Sequence, residues 1–210
     1  LISASPSLPL MYITKIVKEN PATAPNFAML LRKHIGNGRI TNIYQVGLER
    51  IVVIDIEHLD ELGDLCRKHL YIELMGKHSN IIFADDDNNI IDSIKHVSAQ
   101  ISSVREVLPG RNYVFPPIHD KLMPEEVTRE YFLENVLEKN MAVSKAIYTS
   151  IVGFSNVIGQ ELCYRATIDG NALTSSIDDI KKENLYNQFV KLVADISDNR
   201  FTPSIVSDGD

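Results

Sequence analysis

No stretch of this chain approaches the ~18 consecutive apolar residues that cross a bilayer. Its opening, "LISASPSLPL", has no basic region followed by an apolar run, so neither a membrane span nor a secretory leader is read from it. Cysteine is scarce as well. Cys66 and Cys163 lie far apart with no CxxC spacing, which argues against a zinc site or a disulfide framework and predicts two reduced, buried thiols. Basic charge is not in excess: the formal net charge is −7, which argues against a broad basic face of the kind that grips duplex DNA. Motifs that carry chemistry are missing too. There is no HExxH, no His-x-His, no His/Cys cluster, no GxSxG elbow, no P-loop and no GxGxxG after a strand. No catalytic residue, metal or cofactor is therefore predicted. The first residue is not Met and the chain opens in what reads as the end of a strand, so a piece of a longer protein is expected.

What remains is a globular composition: 210 residues, 44% hydrophobic and 23% charged, enough to bury a core in one or two domains. Short β-branched and apolar runs recur in the first part: "MYIT", "RITNIYQV", "RIVVIDIE", "KHLYIELM", "SNIIFAD" and "NIIDSIKHV". They read as strands. Asp85 to Asn89 separates two of them and predicts a hairpin with a polar turn; the Gly and distal Glu of a calcium loop are absent. One helix interrupts the strands. Pro25 suits its first turn, Asn26 can cap it, and Phe27, Leu30, Leu31 and His34 recur with helical spacing before Gly36-Asn37-Gly38 ends it.

After "VLPGRNYVFPP" the pattern changes. "MPEEVTREYFLENVLEKN", "MAVSKAIYTSIV", "SNVIGQELCYRAT" and "SIDDIKKENLYNQFVKLVADIS" all carry helical spacing, with Pro124-Glu125-Glu126 as a helix start. The prediction is an α+β chain: a mixed, mostly antiparallel sheet domain with a helix over residues 1–120, then an all-helical domain over 121–210. Within the latter, "SIVGFSNVIGQEL" outlines a helix-hairpin-helix, although only Gly153 of the usual two turn glycines is in place, and taken as an isolated motif it reads more readily as a plain αα-hairpin.

Residues 1–120 hold 12 Lys and Arg against 14 Asp and Glu, whereas 121–210 hold 9 against 14, so an anion site belongs in the first part. Its basic residues cluster near element ends: Arg32-Lys33-His34, Arg39, Arg50, Lys77-His78, Lys95-His96, Arg105 and Arg111. Singly, each reads as a solvated charge, and Arg32, Lys33 and His34 complement a helix dipole. Together, donors at several element ends form a rim suited to a phosphate backbone or an RNA loop. In "GLERI", Gly47 permits a bulge and Glu49-Arg50 leads into an apolar strand, where Arg50 can fork to a phosphate or the pair can be a strand-start ion pair.

Five blocks, "NFAMLLRKHIGNGRI", "GLERI", "YIELMGKHSNIIFAD", "IIDSIKHVS" and "VLPGRNYVFPP", occur in this order. On them the chain resembles the NFACT family through nearly all of residues 1–205. The resemblance implies an N-terminal domain similar to that of formamidopyrimidine-DNA glycosylases, then a helix-hairpin-helix domain, with earlier strands, a coiled coil and a C-terminal RNA-binding domain lying beyond this chain. It further implies a ribosome-associated quality-control role: binding the obstructed large ribosomal subunit with its peptidyl-tRNA, recruiting alanyl-tRNA and supporting C-terminal alanine tailing. The ribosome makes the peptide bond, so the chain is not expected to be an enzyme by itself; its implied location is cytoplasmic, with no membrane partner. The family's Asp-Arg pair falls on Glu49-Arg50, where the acid is one methylene longer. The implied RNA-binding set is Glu49, Arg50, Arg32, Lys33, His34, Arg39, Lys77, His78, Lys95, His96 and Arg105, with Arg32 to His34 as a rim beside Arg50. An older label of the family implies the alternative of a surface adhesin for fibronectin or fibrinogen. A DNA-processing role by analogy of fold is set aside, since fold is a poor guide to chemistry.

Overall fold

Successive strand side chains point to opposite faces, and in the run from Ile51 to Ile54 both faces are apolar. The computed structural model, which describes residues 1–117 and 121–203, divides that run between two cores. The element order opens with a small antiparallel hairpin of β1 (Ile2–Ala4) and β2 (Pro9–Met11), followed by α1 (Asn26–Ile35). Next come β3 (Arg39–Gln45), β4 (Ile51–Leu59), β5 (Leu65–Glu73), β6 (Asn80–Asp85) and β7 (Ile90–Ser93), which form one antiparallel sheet in chain order. Val53, Tyr71 and Ile82 share one cross-strand row and pack with Ile90, Val107 and Tyr113, so this face is covered by the segment after β7. Ile54, Leu70 and Phe83 form the adjacent row and point the other way, beneath Phe27, Leu30, Leu31 and Ile35 of α1. Burying one such side chain contributes about 1.5–3 kcal/mol. The central strands β4 to β6 are covered on both faces in consequence, while the edge strand β3 is exposed along its whole length.

The predicted helix is present, but its ends work differently. Pro25 occupies the N-cap position and Asn26 makes no capping bond. Asn37, not a glycine, takes the left-handed conformation after α1 (φ 67°). Gly38 is needed for space: a Cβ there would lie 2.8 Å from Ile56 Cγ2, where the chain passes close over β4. The Asp85–Asn89 turn forms as expected, with Asn88 left-handed (φ 63°) and Asp85 Oδ1 accepting from the amides of Asp87 and Asn89. Two strand predictions shrink. Only Met11 of "MYIT" lies in a strand, and β7 ends at Ser93, where the Ser93 and Asn80 side chains bind the backbone of Lys95 and turn the chain away. Glu49 and Arg50 sit in the turn between β3 and β4 rather than in a strand, because Gly47 is left-handed (φ 52°) and the Glu49 amide donates to Val46.

The chain divides into two compact units, Leu1–Pro117 and Ile118–Asp210. The residues flanking the predicted boundary, 118–120, and the end of the predicted helical domain, 204–210, lie outside the described residues. The second unit is helical, and its first predicted helix is broken. Pro124–Glu126 is a 3-10 turn, and Thr128 then accepts from the Tyr131 amide and restarts the chain as α2 (Arg129–Tyr131), which widens into a π-helical turn over Phe132–Val136. α3 (Val143–Ser150), α4 (Asn156–Arg165) and α5 (Asp179–Ser197) follow, the last capped by Asp178. Their apolar faces meet around Phe132, Ile147, Leu162, Leu185 and Phe189. Gly159 lets α4 cross α3 closely, since a Cβ there would lie 2.6 Å from the Ser144 carbonyl oxygen. Of the two thiols, Cys163 is buried as expected, but Cys66 is only partly covered.

Candidate functional site

Two turns and one long connection meet at the C-terminal end of β5 and enclose a cavity of about 580 Å³. Arg50 reaches it from the β3–β4 turn, Lys77 and His78 from the β5–β6 connection, and Lys95, His96 and Arg105 from the segment after β7. Six residues of the predicted RNA-binding set thus line one space. Met75, Val97, Ile101, Val104 and Pro116 supply its apolar wall. Cations over an apolar wall suit an anion that also carries a planar or apolar group.

Local sequence fixes each group. Gly76 is left-handed (φ 56°) and opens a 3-10 turn, while Ser79 Oγ accepts from the Met75 amide at 2.8 Å, so Lys77 and His78 project from a closed loop. Lys95 Nζ donates to the carbonyls of Ser79 (2.7 Å) and Ala4 (3.2 Å). Its charge is tethered but not neutralised. His96 Nε2 lies 2.7 Å from Asp92 Oδ1. Arg50 and Lys77 are exposed and, among the described residues, have no ion-pair partner. They are the two cations of the rim freest to meet an incoming anion.

Arg105 is different. Its Nη2 lies 2.5 Å from Oε2 of Glu73, a carboxylate with no exposed surface, and its Nη1 donates to the Val114 carbonyl at 2.8 Å. Tyr113 donates to the other Glu73 oxygen at 2.9 Å and stacks on Tyr71 with centroids 3.8 Å apart. Burial together with the Glu73 charge holds the Tyr113 hydroxyl well above its ordinary pKa. Against the desolvation that lowers it, Glu73 raises the Arg105 pKa. Arg105 therefore anchors the cavity wall more than it offers free charge. Sequence reading missed Glu73 and Tyr113. The available signal was strand parity, which puts Glu73 on the same face as Tyr71 at the end of an apolar run.

The expected rim of Arg32, Lys33 and His34 beside Arg50 is not formed. α1 packs on the opposite face of the sheet, because Phe27, Leu30 and Leu31 seek the row of Ile54 and Phe83, and its last turn goes with them. His34 lies against the Phe83 ring, and partial burial followed by the charges of Lys33 and Lys68 lowers its pKa. Arg32 and Lys33 point outward at the helix C-terminus, where they complement the dipole. Arg39 pairs with Glu57 at 3.3 Å, and Glu57 also binds Arg67. Glu49 does not line the cavity. Arg111 pairs with Glu106 at 3.2 Å.

The sequence profile of a family described as NFACT N-terminal and middle domains matches residues 1–210. The chain is 38% identical over 208 residues to "Rqc2 homolog RqcH" of Bacillus subtilis (strain 168), covering 99% of this chain and 35% of that protein. It is 31% identical over 206 residues to "Archaeal Rqc2 homolog aRqcH" of Methanocaldococcus jannaschii, covering 94% and 28%. It thus spans about a third of the length of these relatives. Among solved structures it is similar to the fibrinogen binding protein from Staphylococcus aureus, with a TM-score of 0.73 and 29% identity over 92% of this chain and 64% of that one. The N-terminal part of the fibronectin/fibrinogen-binding protein from Streptococcus suis gives a TM-score of 0.68 and 31% identity, over 90% and 67%.

Proposed function

This chain belongs to the NFACT family, and from that membership we propose that it is the part of a ribosome-associated quality-control factor that holds tRNA, with the cavity beside Arg50 as the RNA contact. The observation that carries this reading is the convergence of Arg50, Lys77, His78, Lys95, His96 and Arg105 on one apolar-walled space, although they are spread over more than fifty positions of an acidic chain. Lys and Arg meet phosphate, and the apolar wall meets a base or ribose. Around this contact the family reading places an obstructed large ribosomal subunit with its peptidyl-tRNA and an alanyl-tRNA whose alanine extends the nascent chain. The ribosome supplies the peptide-bond chemistry, so the chain is a binding factor, not an enzyme, and works in the cytoplasm.

On the same reading, α3 and α4 form a helix-hairpin-helix. Ser155 caps α4 without a side-chain bond, which leaves the first-turn amides of that helix available to a phosphate. The first unit corresponds to the N-terminal domain of formamidopyrimidine-type glycosylases, used here for binding alone. Arg32, Lys33 and Arg39, on other surfaces of the sheet unit, contribute to RNA contact outside the cavity, and Glu49 orients the turn that carries Arg50.

The test is binding of the chain and its Arg50→Ala variant to tRNA across a salt series. Affinity that falls with salt, and a log–log slope smaller by about one in the variant, is the expected result. Binding unchanged by Arg50→Ala overturns the assignment of the cavity. The names of the solved relatives favour a second reading, an adhesin for fibronectin or fibrinogen. It predicts tight binding to those proteins, indifferent to Arg50→Ala.

A further inference from the structure

β4 and β5 are longer than their neighbours. β3 pairs with β4 only from Val52 to Glu57, and β6 pairs with β5 only from Lys68 onward, so residues 58–67 form a two-stranded ribbon beyond the sheet. At its end stand three leucines: Leu59 and Leu65, a cross-strand pair that are 67% and 68% exposed, and Leu62 at the turn, 87% exposed. A single exposed leucine needs no explanation. Three on one protruding tip form an apolar surface that nothing among the described residues covers.

The tip is ordered in advance. Asp60 Oδ1 accepts from the amides of Leu62 and Asp64, both at 2.9 Å, and the Asp60 amide donates to the Asp64 carbonyl at 2.9 Å. Gly63, left-handed at φ 88°, closes the turn by donating to the Asp60 carbonyl. Such a turn loses little conformational freedom on docking, which is the condition for a small apolar tip to bind usefully. Its charge selects the partner. Glu61 and Asp64 are exposed beside the leucines, whereas the nearest cations on the same face, Arg39 and Arg67, stand one row back and share Glu57. Carboxylates at the tip repel a phosphate backbone, and equally the tip of a second copy. They complement an apolar groove rimmed by Lys and Arg.

We propose that the β4–β5 tip docks, through Leu59, Leu62 and Leu65, into a basic-rimmed apolar groove on a protein of the large ribosomal subunit. The choice of assembly rests on the ribosomal reading above; the chemistry of the contact does not. This contact is separate from the cavity, which lies at the other end of β4 and β5.

The test uses the chain carrying a photoreactive benzoylphenylalanine in place of Leu62, bound to purified large subunits that hold peptidyl-tRNA, alongside the Leu62→Asp variant. The expected results are a cross-link to a ribosomal protein and subunit binding weakened about tenfold by Leu62→Asp, as for an anchor residue, with free tRNA binding unchanged. Cross-links confined to ribosomal RNA, or full-strength binding by Leu62→Asp, overturn the proposal while the ribosomal reading stands. A wild-type chain that does not bind large subunits at all overturns both. Self-association that Leu62→Asp abolishes, measured by sedimentation velocity, overturns it in favour of a second copy.

Discussion

Removing Glu73 and Arg105 one at a time, and then together, tests the arrangement that builds the cavity wall. Glu73 is fully buried and the Arg105 side chain is 16% exposed, so either group alone would be a charge held largely away from water. Breaking such a pair by deleting one partner costs about 3–5 kcal/mol, whereas replacing both with apolar groups of similar size is often close to neutral. Glu73→Leu additionally strips the Tyr113 hydroxyl of its acceptor, which adds about 1–3 kcal/mol if no water reaches it. Arg105→Met leaves that bond in place, so the two single variants should be similarly damaging, with Glu73→Leu the worse. The double variant should then lie well above the sum of the singles in stability, with a coupling of at least ~2 kcal/mol. Native-state hydrogen exchange at the amides of Tyr71, Ile72 and Ile82 reads the sheet unit without interference from the helical one. Strict additivity, within about 0.5 kcal/mol, would refute the reasoning. It would mean that neither charge depends on the other, and that Arg105 is a free surface cation after all.

Two further outcomes follow from the packing. Gly159→Ala should destabilise the helical unit by about 1–3 kcal/mol through overpacking, although alanine favours a helix by about 1 kcal/mol, because the new Cβ meets the Ser144 backbone at 2.6 Å; a raised melting temperature by circular dichroism would show that α3 and α4 do not cross this closely. The second concerns alkaline pH. Burial raises the hydroxyl of Tyr71 to about 12 and lifts that of Tyr113 above its ordinary value of 10. A raised folded-state pKa gives stability that is complete below the unfolded value, about 10, and is lost as pH climbs towards the folded one. Of the eight tyrosines, these two should therefore ionise only as the sheet unit unfolds, followed at 295 nm against circular dichroism. Ionisation of all eight near pH 10 with the fold intact would count against their burial.

The local chemistry of this chain was legible in its residues. Short β-branched and apolar runs marked β3 to β6, the Asp85–Asn89 cluster marked a hairpin, and helical spacing marked α1, α3, α4 and α5. Each rests on neighbours within a few positions, which is the range over which backbone propensity and periodicity act. The broken helix near Pro124 shows where that reading fails. Thr128 offers its own capping bond in the middle of a helical pattern, and the local hydrogen bond wins.

The site divides in the same way. That basic residues stand at element ends was visible in the sequence, and so was the weaker net negative charge of the first part of the chain relative to the second. Which of them would group was not, because that depends on which face of the sheet each connection crosses. Two apolar rows on opposite faces sent α1 with Arg32, Lys33 and His34 to one side, and the segment with Lys95, His96 and Arg105 to the other. Only tertiary pairing placed Glu73 beneath Arg105 and left Arg50 and Lys77 as free cations of the cavity. The sequence by itself determined the elements and their charges. The tertiary structure decided which charges share a space, because burial on two faces of one sheet is set by residues far apart in the chain.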